Sequence, residues 1–210
     1  MADTKISALA AAAAALGTHE FPVNEAGTTK KLTIQQLLAL EGDSLNNVSV
    51  ADQAISATTA YVTNSNISVP AGLLRIKTVF KYHLTITKSA AGVTAGCAVI
   101  WKLGTLGTTG DASILTFTFG TPTGVADTAE IDIEVTIRGP LSASCIATGV
   151  ASMVHNLQIT GFSTLPCEVK AVTSGAFNAT TANLIAGLTI TTTALSVWTV
   201  TQCIAEAINL

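Results

Sequence analysis

Two stretches of strict alternation constrain this chain more than any other feature of its sequence. Over residues 74–86, Leu74, Ile76, Phe80, Tyr82, Leu84 and Ile86 fall on one parity. Arg75, Lys77, Lys81, His83, Thr85 and Thr87 fall on the other. Ile131, Ile133, Val135 and Ile137 alternate in the same way with Glu130, Asp132, Glu134 and Arg138. Side chains of a strand point to opposite faces in turn, so a period of two with one apolar face is the signature of a half-buried antiparallel strand. Shorter runs over residues 97–103, 114–119, 145–154, 166–172, 184–192 and 196–208 repeat the theme, and Gly, Pro, Asn and Asp punctuate the gaps. About eight strands with no helical segment between them predict a mainly β fold, an antiparallel β-sandwich whose strand count suits a jelly roll. Trp101 and Trp198, each inside an apolar strand, are expected in its core.

The first forty residues follow a different rule. Asp3 or Thr4 can cap a helix whose apolar beats are Ile6, Leu9, Ala13 and Leu16, and Gly17 stands where a left-handed terminator belongs. The Ala-rich run over residues 8–16 is too short and too weakly apolar for a secretory signal, so it is read as this helix. Residues 18–32 read as a hairpin turning near Gly27. Thr33 and Gln36 then form a capping-box pattern, with Leu32 and Leu37 as the hydrophobic staple of a second helix that stops near Gly42. The sequence therefore divides into a helix–hairpin–helix segment over 1–41, a polar linker over 42–59 and a jelly-roll sandwich over 60–210.

Composition excludes several function classes. Charged residues make up 11% of the 210, against about 25% in an average soluble protein. A surface so poor in charge tends to self-associate, which suits burial in an assembly. No apolar stretch approaches the roughly 20 residues of a spanning helix, so no membrane partner is expected. The net charge of -3 and the scattered Lys and Arg give no concentrated basic surface for nucleic acid.

Chemistry-bearing residues are sparse. Cys97, Cys145, Cys167 and Cys203 lack CxxC or CxxH spacing and are read as free thiols in strand positions. Sequence leaves their redox state open. His19, His83 and His155 lie in separate segments without metal-ligand spacing, so no metal or other cofactor is expected. Asp127, Glu130, Asp132 and Glu134 are the one gathering of carboxylates. Paired carboxylates serve glycoside hydrolysis, but the last three share one strand face with Arg138, the pattern of a solvated or intersubunit face. The glycine-rich residues 104–110 lack the Gly-Lys-Ser/Thr ending of a phosphate loop and read as an inter-strand loop. No catalytic residue is expected.

Two groups of residues carry a resemblance. Asp3-Thr4-Lys5-Ile6-Ser7-Ala8-Leu9, Gly17-Thr18-His19-Glu20-Phe21-Pro22-Val23 and Thr29-Lys30-Lys31-Leu32-Thr33 resemble the docking segment that opens many tailed-bacteriophage virion proteins. Trp101-Lys102-Leu103-Gly104-Thr105, Gly110-Asp111-Ala112-Ser113, Asp127-Thr128-Ala129, Gly175-Ala176-Phe177-Asn178 and Val197-Trp198-Thr199-Val200 resemble small phage jelly-roll structural proteins. The resemblance implies a homotrimer on the capsid surface, assembled in the host cytoplasm, a decoration or cement protein or head fibre. Its partner would be the major capsid protein or another virion protein. Docking would fall to Ile6, Leu9, Leu16, Phe21, Val23, Leu32 and Leu37, with weak grips added together by association of three copies. The alternative is the receptor-binding head of a tail fibre or short spike, with a host surface glycan as partner. A strap of fewer than about twenty residues makes a poor fibre shaft, which favours decoration.

Overall fold

The computed structural model describes residues 20–25, 28–33, 45–91, 97–180, 183–192 and 197–210. It divides the chain into two compact units, Met1–Asp43 and Ser44–Leu210. In the first unit, β1 (Glu20–Glu25) pairs antiparallel with β2 (Thr28–Thr33). This is the expected hairpin pairing. The helices expected on either side of it lie outside the described residues. Thr33, expected as the cap of the second helix, is the last residue of β2.

The second unit is mainly β, two antiparallel sheets forming a β-sandwich. Its long strands are β7 (Val79–Lys88), β8 (Ala98–Gly104), β9 (Ala112–Thr118) and β10 (Asp127–Gly139). They continue with β11 (Ile146–His155), β12 (Cys167–Thr173), β13 (Leu184–Thr191) and β14 (Val197–Ile208). Short strands β3 (Leu45–Ser49), β4 (Gln53–Ser56), β5 (Thr59–Tyr61) and β6 (Ile67–Val69) precede them. The larger sheet has seven strands in the order β12-β11-β10-β7-β14-β3, with β4 also on β14; the smaller has five in the order β5-β13-β8-β9, with β6 also on β13. The chain changes sheet six times, between β4 and β5, β6 and β7, β7 and β8, β9 and β10, β12 and β13, and β13 and β14.

Alternation builds the core. Along β10, Ile131, Ile133, Val135 and Ile137 are buried while Glu130, Asp132 and Glu134 are exposed. Phe80, Tyr82, Leu84 and Ile86 of β7 join them, facing Val99, Trp101, Leu115, Phe117 and Leu188 of the smaller sheet. Trp101 and Trp198 are both fully buried, as expected. The Trp101 ring lies 5.4 Å from that of Phe80 and its Nε1 donates to Tyr82 Oη at 3.2 Å. Gly149 leaves room for side chains of the opposite sheet. A Cβ there would stand 2.8 Å from both Leu115 and Phe117 of the opposite sheet.

Two expectations change. The strand read from Leu74 begins instead at Val79, because Lys77 sits at φ 74 and the chain turns there. That turn leaves Leu74 buried but Ile76 half exposed. The segment 42–59, expected as a linker, supplies β3 and β4 to β14 and the start of β5 to β13. These strands are too short for alternation to declare them, and they gain their order from the long strands beside them.

β12 forms one edge of the larger sheet, and its alternate residue Glu168 points inward. There Glu168 accepts the N–H of Gly120 at 2.9 Å and pairs with Lys170 at 2.9 Å. Burial pushes its carboxyl pKa up, but bonds from Ser163, Lys170 and Gly120 outweigh that and hold it below its ordinary value. A charge turned inward on an edge strand blocks the addition of a further strand.

Candidate functional site

The acidic residues singled out in the sequence separate into two places. Asp127 lies on the opposite parity to the other three and is buried at the start of β10. Its Oδ2 lies 2.7 Å from His155 Nδ1 and accepts the Phe162 N–H, while Oδ1 accepts the N–H of Thr128. His155 Nε2 in turn lies 2.6 Å from Leu165 O. At the end of β7, Lys88 donates to Ser89 O and Thr123 O. Burial lowers the Lys88 pKa, and the nearby Asp127 works against that shift. Gly161, at φ +90, passes so close to Asp127 that any Cβ would collide with it. Each polar atom of the Asp127–His155 pair is engaged by the chain itself. The group therefore fastens the loops 119–126 and 156–166 to the strand ends.

Glu130, Asp132 and Glu134 remain together on the outer face of the larger sheet, as expected, with Arg138 beyond them. What sequence could not show is their company. Strand register sets Asp132 beside His83 of β7 and Glu134 beside Lys81. His83 Nδ1 lies 2.8 Å from Asp132 Oδ1, half exposed. Continuing outward, the row through Asp132 reads Val48, Ile204, His83, Asp132, Ser152 and Val169 from one edge to the other. The next row reads Asn46, Glu206, Lys81, Glu134, Val150 and Ala171. Between Ile204 and Val150 the face is hollowed into a depression of about 520 Å³. Its sides are aliphatic and its middle carries both signs of charge. That arrangement suits recognition of another surface or of a polar ligand, and it is the candidate site.

The other expectations find simpler places. Residues 105–111 form the loop between β8 and β9, as read from the sequence for 105–110, while Gly104 is the last residue of β8. Asp111 Oδ1 accepts the N–H of Leu106 and Oδ2 that of Thr108. The buried Lys102 ammonium donates to Thr109 O at 3.0 Å and Asp111 O at 2.7 Å. All four cysteines are free, three of them buried and Cys167 exposed. Among the described residues no group of three potential metal ligands comes together. No described helix is long and apolar enough to cross a membrane. Of the expected docking residues, Ile6, Leu9, Leu16 and Leu37 lie outside the described residues. Register places Phe21 opposite Leu32 and Val23 opposite Lys30 in the hairpin.

No protein-family model matches the sequence, and no curated protein matches it. Among solved structures, the fold is distantly similar to Lectin I from Ulex europaeus, solved with the methyl glycoside of α-L-fucose. Identity is 11% and the TM-score 0.37, over 79% of this chain and 98% of that one. It is also distantly similar to a chain of infectious bursal disease virus, Gx strain, at 8% identity and a TM-score of 0.32. That match spans 90% of this chain and 37% of the viral one.

Proposed function

We propose that the chain is a non-enzymatic virion structural protein. In this reading it is a decoration or cement protein that docks on a phage head through its N-terminal segment and projects the sandwich as a jelly-roll knob. The supporting observation is the division at Asp43. A separate unit of the chain carries the motif that resembles a virion docking segment, and its β1–β2 hairpin falls on the Glu20–Val23 and Thr29–Thr33 parts of that motif. The repeated changes of sheet are compatible with jelly-roll wrapping. The low charge of the whole chain suits residence in an assembly. Docking belongs to Ile6, Leu9, Leu16, Phe21, Val23, Leu32 and Leu37, on the major capsid protein or a neighbouring virion protein. Three copies acting together would let each grip be weak. Particles assembled with a chain lacking residues 1–43 should carry none of it; undiminished incorporation would refute the docking role.

A second reading, the receptor-binding head of a tail fibre or short spike, draws on the depression in the larger sheet. Its mixed donors and acceptors between aliphatic sides could hold a host surface glycan. Glycan-array binding by the full chain, lost in His83→Ala and Asp132→Ala, would move the assignment there.

A further inference from the structure

The two rows across the larger sheet have a symmetry of their own. Taken from the β3 edge to the β12 edge, the face runs aliphatic at Val48 and Ile204, then carries the Lys81 ammonium and the His83 imidazole on β7. It then turns anionic at Asp132 and Glu134 of β10 and aliphatic again at Val150 and Val169. A half-turn about an axis lying between β7 and β10, parallel to both, exchanges the ends of this sequence. It lays β7 of one copy over β10 of another. Lys81 then meets Glu134 and His83 meets Asp132, twice each, while Val48 comes over Val169. The pattern is self-complementary in the sense that a two-fold interface demands.

We propose that this face pairs with the same face of a second copy of the chain. Four observations point to that occupant. Val48, Val150 and Val169 are 51%, 47% and 63% exposed, a large outlay of aliphatic surface for a sheet facing water. Among the described residues neither Lys81 nor Glu134 forms an ion pair, although register makes them neighbours, so both charges are available across the contact. The depression between the aliphatic sides leaves these long side chains room to extend toward the other copy. Finally, the inward Glu168 closes the β12 edge to strand addition, so a second copy meeting this flank of the sheet does so through the face rather than edge to edge. The match is incomplete on the flanks, where Glu206 comes over Val150, Ile204 over Ser152 and Asn46 over Ala171. The aliphatic flanks would exclude water from the charged middle, where opposite charges attract more strongly than in solvent. The contact is two-fold, so in a three-fold assembly it would join one trimer to the next. It does not depend on the capsid reading.

The test uses the full chain and two exposed charge reversals, Lys81→Glu and Glu134→Lys, each checked for an unchanged circular dichroism spectrum. By sedimentation velocity the parent should form a species of twice the mass of either variant, and each reversal should weaken association by more than about tenfold. Mixing the two variants in equal amounts should restore it. In a mixed pair both crossing contacts are again between opposite charges, whereas the Lys81–Glu134 neighbours within each chain remain mismatched. A mixture that associates no better than its components would overturn the proposal. So would a parent chain of the same mass as the variants, which is the outcome if the depression takes a saccharide instead.

Discussion

His155 Nδ1 stands 2.7 Å from Asp127 Oδ2 with neither side chain exposed, although 28 positions separate them in sequence. Removing the imidazole leaves a buried carboxylate short of a partner and the carbonyl of Leu165 unpaired. His155→Ala should therefore cost about 3–5 kcal/mol of stability, read from urea unfolding. A loss below about 1 kcal/mol would mean that the pair contributes little to holding the loops.

At Gly149 the facing sheet leaves no room for a Cβ, which would lie 2.8 Å from Leu115 and Phe117. Gly149→Ala should destabilise the sandwich by about 1–3 kcal/mol through overpacking against Leu115 and Phe117. Gly175→Ala is the control, since nothing lies within 4 Å of a Cβ there. Equal midpoints for the two variants would contradict the packing described.

Thiol chemistry should divide the cysteines. Exposed Cys167 should react with a thiol reagent in the native state, and Cys97, Cys145 and Cys203 only after unfolding. Burial pushes the Cys203 pKa from 9.0 up to about 12. The folded chain holds that proton after the unfolded chain has released it. The contribution is therefore whole below pH 9 and declines as pH rises toward 12, at about 1.4 kcal/mol per pH unit at most. Tyr61, raised to about 12 by burial, acts with the same sign above pH 10. Unfolding free energies measured from pH 8 to 11 should fall, and Cys203→Ala should flatten the slope.

A chain starting at Ser44 should fold alone, because every strand pairing of β3 through β14 lies within residues 44–210. One cooperative thermal transition with an unchanged β-sheet spectrum is the expected result. A broad, non-cooperative transition would show that the sandwich needs the first unit.

The long strands were legible because each has one wet face and one dry face, so parity alone located β7, β10 and most of β11 and β14. Parity also separated Asp127 from Glu130, Asp132 and Glu134. Two kinds of information were not available from sequence. Local backbone choices such as the positive φ of Lys77 leave no periodic trace, and they cut short the strand read from Leu74. Neighbourhood across strands is set by sheet order, which periodicity does not encode. Hence His83 beside Asp132, His155 beside Asp127 and the self-complementary rows emerged only from the register. The strands over residues 45–61 were hidden for a related reason: they are three to five residues long and borrow their order from β13 and β14.

The loop between β8 and β9 closes around an ammonium that belongs to the chain itself, with the carbonyls of Thr109 and Asp111 turned toward Lys102. Loops whose carbonyls and carboxylates converge are often shaped by a dissolved calcium ion, and they loosen when the ion is withdrawn. This one keeps its cation on a covalent tether. Its shape is thus indifferent to the ion content of the medium and to chelators, and it persists wherever the fold does.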